Sequence, residues 1–189
     1  MKKFKDDMDS CLTVLNTGGI ILYPTDTIWG IGCDATNEKA VQKIFSLKQR
    51  AESKSMIILV ADEESILQYA TPLPEAMQKL IAEYKVPVSM IYLNAKNLAT
   101  NLIADDGSIA IRIIKDEFCN VLIRTFGKPI VSTSANISGQ PFPENFKTIS
   151  PEIKKGVNYV VAHRQDEESP SAPGRILKWT EAEGLTVIR

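Results

Sequence analysis

Lys48, Arg50 and Lys54 crowd into the stretch KQRAESKS between two apolar segments, and three flexible cations so placed suit a triphosphate. Further along, Ser132-Thr133-Ser134-Ala135-Asn136 follows the apolar Pro129–Val131, with Ser138 and Gly139 just beyond. Hydroxyl and amide side chains with backbone N–H groups between them make a concavity that binds anions. Taken singly, a solvated basic stretch and a polar turn explain the same residues. Other chemistries fit less well. Gly30-Ile31-Gly32-Cys33-Asp34-Ala35 matches G-x-G-x-x-A, with Glu52 downstream as a ribose-binding acid. However, the preceding strand stops at Pro24 and the next helix starts near Asn37, so these glycines do not open a helix onto a pyrophosphate. They read instead as glycines in a tight strand exit. Ser134-x-Asn136 has no S-x-x-K, K-T-G or G-x-S-x-G to accompany it, which argues against a serine acyl-enzyme. There is no Walker A motif, and Asp105-Asp106 is explained by a turn before a strand more simply than by a magnesium site.

Composition narrows the chemistry further. Lys plus Arg is 22, Asp plus Glu is 23, and the net charge is -1, so bulk charge does not drive polyanion binding. The balance conceals polarity: Lys39, Lys43, Lys48, Arg50 and Lys54 cluster, whereas Asp62, Glu63, Glu64, Glu75 and Glu83 face only Lys79. If RNA is contacted, the face around Lys43, Lys48 and Arg50 is where it is expected. His163 is the only histidine, which sets aside histidine triads and His-rich zinc sites. Cys11, Cys33 and Cys119 are widely spaced with no C-x-x-C, arguing against a disulfide framework or a zinc knuckle. MKKFKDDMD runs into acids and not into an apolar segment, and the apolar run Met56–Ala61 is far short of the ~20 residues of a membrane helix. A cytoplasmic location without membrane contact is expected.

The elements that must position these residues follow from pattern. Met8, Cys11, Leu12 and Leu15 repeat at helical spacing, and Gly18-Gly19 ends that helix. Ile20–Tyr23 reads as a buried strand stopped by Pro24. Thr36 or Asn37 caps a second helix that buries Val41, Ile44 and Phe45 and runs out near Lys48, leaving Lys48, Arg50 and Lys54 in the loop beyond it. Strands are expected at 56–60, 88–93, 109–114 and from 129 into STSAN, with a helix at 118–126. Residues 62–84 read as one or two acidic helices split by Pro72 and Pro74. Late strands at 157–161 and 185–188 flank a polar loop at 164–174. This is a three-layer α+β arrangement, a mixed β-sheet flanked by helices, in a single domain over residues 1–189.

GGIILYPTDTIWGIGCDA, the Lys48-x-Arg50 pair and PIVSTSANISG, in this order, resemble the YrdC-like threonylcarbamoyl-AMP synthases. The resemblance spans roughly residues 6–163 and weakens over the lid and strand segment 164–189. It implies the YrdC/RibB-like fold in its short form and the synthesis of threonylcarbamoyl-adenylate and pyrophosphate from L-threonine, bicarbonate and ATP with Mg²⁺. The product is implied to serve N6-threonylcarbamoyladenosine modification of tRNA through a threonylcarbamoyl-transfer complex. The family's K-x-R…S-x-N tetrad maps onto Lys48, Arg50, Ser134 and Asn136 as catalytic residues. Thr25, Thr27, Arg112 and Ser132 are implied on the threonine side. Arg50, Lys54, Ser108, Ser134 and Arg175 are implied on the nucleotide side, and no protein ligand to a metal is implied. Departures from the family pattern are Ala51, Val86-Pro87-Val88-Ser89, Arg112-Ile113-Ile114-Lys115-Asp116 and Gly174-Arg175. The alternatives are a non-catalytic module for double-stranded RNA or tRNA, and a carbamoyl-adenylate-forming relative.

Overall fold

A computed structural model describes residues 4–51, 56–170, 172–182 and 184–189. Its first helix, α1 (Lys5–Asn16), buries Met8, Cys11 and Leu15 along one stripe. Gly18, at φ 70°, turns the chain into β1 (Ile21–Tyr23). A turn leads to β2 (Gly30–Gly32), and α2 (Glu38–Lys48) follows, where the Asn37 side chain accepts from Ala40 N. Next come β3 (Ile57–Val60), the short α3 (Ile66–Tyr69), α4 (Glu75–Ala82) and β4 (Val88–Tyr92). A 3₁₀ turn at Thr100–Leu102 precedes β5 (Ile109–Ile113). Helix α5 (Glu117–Phe126) is capped by Asp116, which accepts from Cys119 N, and ends at Gly127 with φ 75°. The chain closes with β6 (Ile130–Ser134), α6 (Pro151–Gly156), β7 (Tyr159–Val160), β8 (Arg175–Thr180) and β9 (Gly184–Val187).

The described strands form one mixed sheet in the order β7-β1-β2-β6-β3-β5-β4-β8-β9. Parallel pairs are β1 with β7, β3 with β5 and β4 with β8; the remaining neighbours are antiparallel. Alternation sends successive side chains to opposite faces, and both faces are packed. Ile21, Tyr23, Leu59 and Ile130 join Phe4, Met8, Leu15, Phe118 and Leu122 on the side of α1 and α5. Leu22, Ile31, Ile58 and Val131 join Val41, Ile44, Phe45 and Ile153 on the side of α2 and α6. Each fully buried side chain of this kind stabilises the fold by about 1.5–3 kcal/mol. The expected three-layer arrangement is therefore present, with a helical layer on either face of the sheet.

Several local expectations need correction. Gly30–Gly32 is a strand between β1 and β6, not an exit loop. Arg175–Thr180 is a strand beside β4, and Pro151–Gly156 is a helix; neither was expected. Lys48 is the last residue of α2, not a loop residue, because the helix ends one position later at Gln49, which adopts φ 50°.

Candidate active site

The sheet face under α1 and α5 is left open beyond the ends of those helices, and there the strands end in polar residues. Along β6, Ile130 is in the core, whereas Ser132 and Ser134, on the same side of the strand, face a cleft. Along β5, Arg112 points the same way as Ile114, which packs in the core below. The cleft, a cavity of about 130 Å³, is lined by Thr25, Thr27, Gly30, Arg50, Met56, Arg112, Ser132, Ser134, Phe142, Gly174 and Arg189, among others. Gly30 matters for a spatial reason: a Cβ there would stand 3.3 Å from Ser132 Oγ.

The turn between β1 and β2 is organised by its own hydroxyls. Thr25 Oγ1 donates to Ile28 O at 2.8 Å and accepts from Thr27 N at 3.1 Å, and the two threonine hydroxyls lie 3.0 Å apart. Arg112, 5% exposed, donates from Nη1 to Thr27 Oγ1 at 3.1 Å, and its Nη2 lies 3.2 Å from Asp26 Oδ1. Its Nε is buried with no hydrogen-bond partner among the described residues. Burial holds the Asp26 carboxyl above its usual range, and the charge of Arg112 only partly opposes this. Arg164 braces the same turn from the return loop, donating from Nη1 to Thr25 O and to Asp116 Oδ2, each at 3.1 Å.

Arg50 lines the cleft as well. Burial lowers its pKa, and the neighbouring charge of Arg189 lowers it further. Two guanidiniums that repel each other across a polar cleft leave room between them for an anion.

Of the residues singled out in the sequence, Thr25, Thr27, Arg50, Arg112, Ser132 and Ser134 meet in this cleft. Four others do not line it. Lys48 is 1% exposed, with Nζ donating to Ser134 O, to Asn136 O at 2.6 Å and to Asn136 Oδ1 at 3.4 Å. The expected RNA-facing surface therefore loses Lys48, and Lys43 spends its ammonium on Gly18 O at 2.7 Å. Asn136 donates from Nδ2 to Gln140 O at 2.6 Å and so ties its own turn together. Ser108 sits in the turn before β5, where its backbone N–H and side chain both serve the Asp106 carboxylate. Arg175 is exposed at the start of β8 and lies outside the cleft lining. The expected contact at Lys54 and the candidate acid Glu52 fall outside the described residues. Arg189 and Phe142 enter the cleft without having been singled out. The position of Arg189, immediately after an apolar strand, was the only signal for it.

Comparisons with known proteins bear on the family and the fold. The family model described as telomere recombination, of the Sua5/YciO/YrdC group, matches residues 13–189. The chain belongs to the Sua5/YciO/YrdC family. It is 33% identical over 177 residues to the threonylcarbamoyl-AMP synthase of Idiomarina loihiensis, covering 91% of this chain and 92% of the relative. The corresponding enzyme of Psychromonas ingrahamii is 35% identical over 137 residues, 71% of this chain and 72% of the relative. Among solved structures, P. abyssi Sua5 complexed with L-threonine superposes with a TM-score of 0.85 at 22% identity. That match covers 98% of this chain and 54% of the archaeal protein. E. coli YciO gives a TM-score of 0.80 at 17% identity, covering 98% of this chain and 89% of that one. A HypF in its phosphate- and nucleotide-bound form shares the fold over 28% of its own length, with a TM-score of 0.81 at 17% identity.

Proposed function

We propose that this chain is a threonylcarbamoyl-AMP synthase acting in tRNA modification. The observation that carries the reading is one cleft uniting two different anion sites, Arg112 with its orphaned Nε and the Arg50–Arg189 pair. The names of the relatives in the same family support it.

Arg112, fixed by Thr27 and Asp26 and lining the cleft, takes the threonine carboxylate through its guanidinium. Thr27 and Ser132 offer hydroxyls to the amino acid's polar groups. The amine and bicarbonate condense to a carbamate with loss of water. A carbamate oxygen then attacks the α-phosphorus of ATP, and the bond to the bridging oxygen breaks, releasing pyrophosphate. A carbamate oxygen is already anionic, so this step needs alignment and charge neutralisation and no protein base. Arg50 and Arg189 supply positive charge on the phosphate side. Ser134 lines the same cleft.

Among the described residues the cleft lining presents hydroxyls, guanidiniums and apolar side chains and no carboxylate side chain. Such a donor set does not fit a resident divalent ion, so in this reading Mg²⁺ travels on the ATP phosphates as part of the substrate. Transfer of the threonylcarbamoyl group to tRNA falls to a partner complex. No described helix is long and apolar enough to cross a membrane.

The decisive assay mixes pure protein with ATP, Mg²⁺, bicarbonate and L-threonine and follows pyrophosphate. Release that requires threonine is expected; release indifferent to threonine, or none, would overturn the reading.

A further inference from the structure

Lys48 was expected to hold phosphate, but its side chain is committed elsewhere. An ammonium carries three N–H donors and no acceptor. Three oxygens surround this one: Ser134 O, Asn136 O at 2.6 Å and Asn136 Oδ1 at 3.4 Å. The main chain of Lys48 is held by the same turn, because Ser138 N donates to Lys48 O at 2.8 Å. Both ends of the residue are therefore stitched to the segment that follows β6. The side chain is 1% exposed and is absent from the residues lining the cleft. To reach a phosphate its ammonium would have to leave all three acceptors, of which only Ser134 O keeps another donor, the Asn136 N–H.

The turn it grips is the one that delivers Ser134. The hydroxyl side of Ser134 faces the cleft while its carbonyl faces Lys48, so the ammonium fixes the orientation of that peptide. Asn136 completes the brace: its N–H returns to Ser134 O at 2.9 Å, and its Nδ2 reaches Gln140 O. We propose that Lys48 is a positioning residue that fastens the Ser134–Asn136 turn to the end of α2, setting where Ser134 stands, and that it is not a triphosphate ligand. The inference deepens the synthase reading and rests on it for the meaning of Ser134.

The consequence is a division of labour within K-x-R. Arg50 projects into the cleft and meets the substrate, whereas Lys48, two residues earlier, faces back into the fold. A misplacement of about 1 Å at a reacting site costs on the order of 100-fold in rate, which a loosened turn is enough to cause.

The test compares Lys48→Met, Lys48→Arg and Arg50→Met with the unaltered protein, each checked for folding by circular dichroism and thermal melting. Binding of inorganic tripolyphosphate is measured by calorimetry, and kcat and the ATP KM by pyrophosphate release. Lys48→Met is expected to bind tripolyphosphate within about threefold of the unaltered protein while kcat falls by about 10–100-fold. Arg50→Met should weaken tripolyphosphate binding by about tenfold or more. Lys48→Arg keeps the charge, but a planar fork does not match three converging oxygens, so its kcat should fall too while phosphate binding stays. This second variant decides the matter if Lys48→Met does not fold. Loss of tripolyphosphate binding in the Lys48 variants, or an undiminished kcat, would overturn the proposal. If the unaltered protein itself releases no pyrophosphate, the synthase reading falls; if Lys48→Met alone loses tripolyphosphate, only the positioning role falls.

Discussion

Arg112 Nη2 lies 3.2 Å from Asp26 Oδ1, close enough to attract but not aligned as a hydrogen bond, since that oxygen and Arg112 Nε both lack hydrogen-bond partners among the described residues. The ion pair sits at the end of β5, with side-chain exposures of 6% for Arg112 and 17% for Asp26. An imperfectly paired, buried guanidinium is a costly arrangement in the empty protein. In the synthase reading, a threonine carboxylate held by the guanidinium offsets part of that cost.

Asp26→Asn tests this relationship. The amide keeps the shape but removes the charge that orients Arg112, so the threonine KM should rise by about tenfold, equivalent to about 1.4 kcal/mol. The ATP KM should change little, because Asp26 does not line the cleft that Arg50 enters. Initial rates over a threonine series at saturating ATP provide the check. A rise in both KM values would show instead that the substitution disturbs the whole cleft.

Arg189 and Arg175 make a matched pair for the nucleotide side. Arg189 lines the cleft and its charge is felt by Arg50, whereas Arg175 is exposed and does not line it. A charge-assisted hydrogen bond contributes about 1.5–3 kcal/mol, so Arg189→Met should raise the ATP KM by about 10–150-fold. Arg175→Ala should leave it within about twofold. The reverse order of effects would restore the expectation drawn from the sequence.

Much of this site was legible before any coordinates, and the exceptions share a cause. Ile20–Tyr23, Met56–Val60 and Ile109–Ile114 read as strands because apolar runs bounded by breakers carry their own signal. Asn37 was readable as a cap, and Thr25, Thr27, Arg50, Arg112, Ser132 and Ser134 do meet in one cleft. By contrast, the two glycines of Gly-Ile-Gly disfavour a strand, and β2 exists because β1 and β6 pair with it from both sides. Strand β8 likewise depends on parallel pairing with β4, distant in the chain. Lys48 was misplaced for a different reason. Composition gives a lysine every prior of exposure, and only the tertiary arrangement brings three carbonyl oxygens to its tip.

Those three oxygens also bear on pH dependence. Burial, and then the charge of Arg50, pull the Lys48 ammonium down to about 7 from its ordinary 10.5. A base whose folded pKa is depressed binds fewer protons folded than unfolded between those two values. Stability therefore rises with pH across the window from about 7 to 10.5, by at most about 1.4 kcal/mol per unit from this group. Below pH 7 both states carry the proton and the contribution is flat. Urea titrations of the unaltered protein and Lys48→Met, repeated at several pH values, should diverge over that window and run parallel below it. Curves parallel throughout would mean that the three carbonyls hold the ammonium charged against desolvation.

The glycines of β2 separate fold from function. A Cβ on Gly32 would stand 2.6 Å from Val131 O, 2.7 Å from the Tyr23 ring and 2.9 Å from Ile130. All three of these neighbours are fully buried and one contact is to backbone, so nothing can yield cheaply. Gly32→Ala should cost about 3 kcal/mol. In a chain of this length that lowers Tm by about 6–12 °C. Gly30 lies two residues earlier on the same strand, and its nearest obstacle is Ser132 Oγ at 3.3 Å, the tip of a side chain in the cleft. Gly30→Ala should then lower Tm by only a few degrees while displacing Ser132 and reducing kcat/KM for threonine by about tenfold. Thermal melts and threonine kinetics on the two variants check this. Equal Tm losses with no kinetic difference would mean that Ser132 takes no part in holding the amino acid, leaving that task to Arg112 and Thr27.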